Sequence, residues 1–189
     1  MKIQIRKSVF ETNSSSTHAI SIIKDSAVTE YPTSIEFGMG YFGWEIDNYN
    51  TTSEKAAYIW ESIRSNSYKD ENFVQNSVNK ITEILAKYGI EAIFPFNHPN
   101  TTHSSYKVGD EIREYTYTDY LNEEGEKDDG YVDHGDETYY FLIDIMEDET
   151  KLLNFLFDNK SYIATGNDND GDIGDCPDNG PAWEYDKGN

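Results

Sequence analysis

Charge is distributed so unevenly along this chain that it constrains the fold before any periodicity is read. Residues 119–189 hold 21 acidic and four basic side chains, so 17 of the 21 net negative charges fall in the last 71 of 189 residues. The opening 24 residues run the other way, with Lys2, Arg6, Lys7 and Lys24 against Glu11. A domain needs only a modest net charge to stay dispersed, and a larger one costs stability through self-repulsion. The excess therefore answers to a basic partner, a set of cation sites or a solvating tail. A coil is excluded by the aromatic content, 15 Tyr, nine Phe and three Trp, which is far above that of charged disordered chains.

Several function classes fall away on the same grounds. Gripping nucleic acid means neutralising phosphates with Lys and Arg, so little direct nucleic-acid binding is expected from so acidic a chain. No window reaches the roughly 18 apolar residues of a membrane span, and the basic Met1–Lys7 is followed by no apolar run of signal length. The expectation is a soluble, cytoplasmic protein with no membrane partner. The single cysteine, Cys176, permits no internal disulfide and suits a reducing compartment.

The order of elements indicates an α+β fold: one domain over 1–165 with an acidic insertion near 119–137, then an irregular acidic segment over 166–189. Alternation at Lys2–Ile5 and at Ala19–Ile23 predicts strands, as does Ser34–Phe37. The glycines at 38, 40 and 43 interleave with Met39, Tyr41, Phe42 and Trp44, a flexible segment with adhesive side chains. Ser53 is placed to cap a helix with Ala56, Ile59, Trp60 and Ile63 on one face. Asp70 and Glu71 open a second, in which Val74, Val78, Ile81, Leu85 and Tyr88 keep register until Gly89 stops it. Ala92–Phe96 and Glu111–Tyr117 read as strands. Tyr139–Ile145 is an apolar, strand-like run. Asp148 then caps a third helix with Leu152, Leu153, Leu156 and Phe157 as its stripe, and Ser161–Ala164 reads as a last strand of a small, mostly antiparallel sheet.

Chemistry is suggested first by residues 11–18. Thr12, Asn13, Ser14, Ser15, Ser16 and Thr17 are six successive small polar side chains flanked by Glu11 and His18. One reading is a ligand-binding loop made of Thr12, Asn13, Ser14, Ser16 and Thr17. If the chain is an enzyme, Ser15 would be the nucleophile, with Glu11 and His18 supplying acid–base capacity. A plain turn whose hydroxyls satisfy the local backbone fits the same residues, and no strand–GxSxG–helix context is present.

The stretch Arg6-Lys7-Ser8-Val9-Phe10-Glu11-Thr12-Asn13-Ser14-Ser15-Ser16-Thr17-His18 resembles the opening of small proteins of bacteriophages and mobile elements in Gram-positive bacteria. Phe155-Leu156-Phe157 and Thr165-Gly166-Asn167-Asp168-Asn169-Asp170 are similar to later parts of those proteins. The resemblance covers the first 23 residues and, more loosely, the end of the helix capped by Asp148. It implies a phage origin, in an infected bacterial host, rather than a reaction. By analogy with phage accessory proteins of this size and acidity, it implies an inhibitor of host defence, such as an anti-CRISPR protein.

Two further patterns concern cations and partners. In Asn167–Asp172 the register of an EF-hand fails: with Gly171 sixth, the loop would begin at Gly166 and end at Pro177. A looser calcium site using Asp168, Asp170, Asp172 and Asp175 stays open beside the reading of a solvated loop, and otherwise no cofactor is expected. His18, His98, His103 and His134 are too scattered for a zinc signature. The acidic run offers Asp119, Glu123, Glu124, Glu126, Asp128, Asp129, Tyr131, Asp133, Asp136 and Glu137 as partner-binding residues. Duplex DNA presents one negative charge per roughly 1.7 Å of axis. A carboxylate-studded surface with interleaved tyrosines imitates that array and suits a basic nucleic-acid groove, such as that of a CRISPR effector nuclease. On this reading the chain is an inhibitory DNA mimic, and Asp144, Glu147, Asp148 and Glu149 extend its surface. A small enzyme or binding protein using 11–18 is the alternative.

Overall fold

Alternation in the strand at Ser16–Ile23, β1, sends Ser16, His18, Ile20 and Ile22 to one face, all buried. This strand begins inside the segment expected to be a loop, so Ser16, Thr17 and His18 are sheet residues. A computed structural model describes residues 16–43, 45–70, 72–95, 99–109, 111–120, 130–167 and 172–187. The strand expected at 2–5 lies outside these residues.

The chain continues through β2 (Ser34–Glu36), β3 (Tyr41–Phe42), β4 (Asp47–Tyr49) and helix α1 (Thr52–Ser65). After a 3-10 turn at Ser67–Lys69 come α2 (Phe73–Ala86), β5 (Glu91–Ile93), β6 (Pro99–Val108), β7 (Glu111–Tyr120) and β8 (Tyr131–Val132). A second 3-10 turn, Gly135–Thr138, leads into α3 (Tyr139–Glu147) and α4 (Glu149–Phe157), followed by β9 (Tyr162–Asn167), β10 (Asp172–Ile173) and β11 (Ala182–Lys187). The architecture is α+β. Its main sheet is antiparallel and five-stranded, with β1 between β9 and β11, and with β4 and β10 on the other side of β9.

Helix α1 lies at the centre. It is capped by Thr51 rather than Ser53: Thr51 Oγ1 accepts from Glu54 N–H, and Glu54 Oε2 accepts from Thr51 N–H at 3.0 Å. This reciprocal pair is a capping box. Nine successive residues, Lys55–Ile63, are buried, because α1 touches β2, α2, α3 and α4 on its several sides. Helix α2 buries the expected Val74, Val78, Ile81 and Leu85, whereas Tyr88 is past its end and exposed. Asp148 caps α4 as expected, accepting from Thr150 N–H at 2.9 Å. Phe155 is fully buried there, and Phe157 only partly.

Two further expectations fail. Tyr139–Ile145 is helical, not a strand: Phe141, Leu142, Ile145 and Met146 share one buried face of α3, and a short apolar run does not distinguish a buried strand from a buried helix. The tail beyond Thr165 is not wholly irregular. Ala182–Lys187 pairs with β1 in the register Ile20↔Tyr185, and Tyr185 donates to Asp144 on α3.

Candidate partner-binding face and the polar cluster behind it

The two sequence candidates, residues 11–18 and the acidic run, meet in space. Ser16 N–H donates to Asp133 Oδ2 at 3.2 Å, across 117 residues of chain. His18 is fully buried on the core face of β1, with Ser16 Oγ 3.1 Å from its Nε2 and the Tyr58 hydroxyl of α1 3.0 Å from its Nδ1. Burial drives the Tyr58 pKa far above that of an ordinary phenol, so its proton stays in place. Among the described residues the phenol has His18 as its one hydrogen-bond partner. The chain Ser16–His18–Tyr58 lies inside the packed protein, with all three side chains buried. Glu11, Thr12, Asn13, Ser14 and Ser15 lie outside the described residues.

The acidic run is anchored from the other side. Strand β8 lies parallel to β3, with Tyr131 N–H donating to Gly40 O and Asp133 N–H to Phe42 O, both at 2.8 Å. Just before β8, Gly130 rests on the buried Glu61 of α1: a Cβ there would sit 2.0 Å from Glu61 Oε1 and 2.9 Å from the Gly40 backbone nitrogen, so any larger residue would have to displace both. Glu61 is charge-paired with Arg64 at 2.9 Å, and Arg64 also donates to Gly130 O at 3.4 Å. The chain therefore leaves the acidic segment at a rigid point. Asp119 holds a place on β7 opposite Asn100, and Asp136 lies in the turn before α3. Glu123, Glu124, Glu126, Asp128 and Asp129 lie outside the described residues.

What this pairing assembles is an aromatic patch with an acidic rim. Tyr41 is 52% exposed and Tyr131 43%, their rings meeting edge to face at 5.8 Å between centroids. Met39 is 46% exposed and accepts from the Tyr41 hydroxyl at 3.5 Å. Burial raises the Tyr131 pKa, and the Glu45 and Asp133 carboxylates raise it further. Tyr49, half-buried nearby, is raised by burial, lowered by a hydrogen bond with Thr165, and raised again by Asp47, Glu45 and Glu54. Glu137 is exposed at the turn before α3. Sequence reasoning named Tyr131 and Asp133 but missed Tyr41, Tyr49, Glu45 and Glu54 beside them. The interleaved glycines and aromatics at 38–44 were the available signal.

Not every carboxylate is free for a partner. Asp144 accepts from Lys151 at 2.6 Å, Asp148 caps α4, and Glu149 pairs with Lys87 at 3.0 Å, leaving Glu147 as the exposed member of that group. Among the described residues no three His, Cys, Asp or Glu side chains are grouped to hold a metal ion. Asp168 and Asp170 lie outside them, and Asp172 is placed by its backbone in β10. Among the described residues no helix is long and apolar enough to cross a membrane. Comparison with protein families, with curated proteins and with solved structures gave no match.

Proposed function

We propose that this is a phage-encoded anti-defence protein, an anti-CRISPR acting in the cytoplasm of an infected bacterium. It binds a CRISPR effector nuclease and occupies its basic nucleic-acid groove with an anionic, tyrosine-bearing surface. The observation that carries this reading is the exposed pair Tyr41 and Tyr131, rimmed by Glu45 and Asp133, at the root of the most acidic stretch of the chain. Aromatic anchors within a charged rim are what tight interfaces use, and complementary charge speeds association.

The test is affinity for a guide-loaded Cas nuclease at low (about 0.05 M) and high (about 0.5 M) salt. The native chain is compared with one carrying Glu123→Gln, Glu124→Gln, Glu126→Gln, Asp128→Asn and Asp129→Asn. Binding at low salt that weakens at least tenfold on raising the salt, and again on neutralisation, is expected. No binding at either concentration removes this target. Binding indifferent to both salt and neutralisation removes the acidic mechanism.

A further inference from the structure

Beside the Tyr41–Tyr131 patch the surface dips into a notch of about 230 Å³, bounded by Met39–Phe42, Tyr49 and the first turns of α1 at Ser53, Glu54 and Ala57. Its walls are aromatic. Phe42 and Tyr49 meet edge to face at 5.0 Å, and Tyr41 and Met39 form an exposed lip. Among the described residues one acidic side chain, that of Glu54, belongs to the wall. Its Oε2 is held by the Thr51 backbone N–H and hydroxyl, at 3.0 and 2.7 Å, which fixes the group.

The local field at the notch is the sum of opposing parts. The start of a helix carries about half a positive charge and on its own repels a cation. Glu54 in that first turn outweighs it, and Glu45 and Asp47 lie near enough to the notch wall to act with Glu54 on the Tyr49 hydroxyl. A concave site with aromatic walls and negative charge selects a flat, cationic, donor-rich group. We propose that the notch takes an arginine side chain from a basic partner protein, its guanidinium lying along the Tyr41 and Tyr49 rings and donating to Glu54. Arginine fits better than lysine because its planar fork both stacks on rings and pairs with a carboxylate, and because it is the more weakly hydrated cation. A chain bearing 21 net negative charges already draws such partners.

This inference rests on the reading of the protein as a binder of basic surfaces, yet its test does not need the nuclease. The full chain is titrated by calorimetry with a six-arginine peptide and a six-lysine peptide of equal length and charge. The same titrations follow in Tyr41→Ala and in Glu54→Gln, the latter keeping a side chain able to complete the capping box. Thermal melting establishes that each variant is folded. Arginine is expected to bind at least fivefold more tightly than lysine. Tyr41→Ala should erase that preference and Glu54→Gln should reduce it, while lysine affinity falls less than twofold in each. Equal affinity for the two peptides, no binding of either, or an arginine preference that survives both substitutions would overturn the proposal. If instead the arginine preference behaves as expected while no Cas nuclease binds, the notch stands and the assigned target falls.

Discussion

His18 with Tyr58, and Tyr41 with Tyr131, are both polar aromatic pairs joining a strand to another element, yet water treats them in opposite ways. The first is sealed: both rings are fully buried, and their hydrogen bond holds β1 onto α1. The second is open, with about half of each ring facing solvent and carboxylates close by. In a sealed site every donor must find an acceptor inside the protein, because an unpaired one costs about 1–3 kcal/mol. At an open site water supplies the missing partners, and the exposed ring is held ready for a ligand. Similar side chains therefore have a structural task in one place and a recognition task in the other.

The largest expected effect breaks the sealed pair. His18→Ala leaves a cavity and an unpaired Tyr58 hydroxyl, and urea denaturation should show a loss of about 3–4 kcal/mol. Affinity per folded molecule for any basic partner should not change. A loss of affinity with stability intact would reverse the roles of the two pairs.

Next in size is a test of sealing on a charge. Lys55 is fully buried on α1, its ammonium donating to the carbonyls of Asp158 at 2.8 Å and Ser161 at 3.1 Å. Burial lowers its pKa to about 8, with Asp158 and Glu54 opposing the shift. Between about pH 8 and the ordinary lysine value the unfolded chain binds a proton that the folded chain does not. The Lys55 contribution to stability therefore rises with pH through that window, and below it the cost of burying the charge is fully present. In the difference between native and Lys55→Met unfolding free energies, the rise should amount to about 3 kcal/mol, at 1.36 kcal/mol per pKa unit. A flat difference would show that water reaches the ammonium.

The smallest effect on stability belongs to the open pair. Tyr41→Ala and Tyr131→Ala should each move the unfolding free energy by no more than about 1 kcal/mol, as surface substitutions do. Each should weaken partner binding about tenfold, as loss of an interface anchor does. Equal damage to folding and to binding would erase the distinction between the two pairs.

Long-range pairing accounts for most of what a reading of the chain missed. Helices α1, α2 and α4 announce themselves locally, through Ala56, Ile59, Trp60 and Ile63, through the Val74–Leu85 stripe, and through the Asp148 cap. Strand β6 went unread because Pro99–Val108 is polar and gains its form from pairing with β7. Trp183 and Tyr185 do alternate with polar residues, but among glycines and aspartates that hint was drowned until β1 was there to receive them. The acidic candidates were legible as a group. Their division into internal partners such as Asp144 and Asp148 and surface groups such as Glu137 was not.

By itself, the order of residues determined which segments have an apolar side, where α4 is capped, that the chain belongs to the α+β class, and that its negative charge gathers toward the C-terminal end. Those properties depend on neighbours a few residues apart, or on composition. Only the tertiary structure decided that His18 is sealed, that Tyr131 meets Tyr41, and that Glu54 stands in the wall of an aromatic notch. Each of these requires segments tens of residues apart to meet, and whether water is excluded where they do is a property of the whole packed molecule.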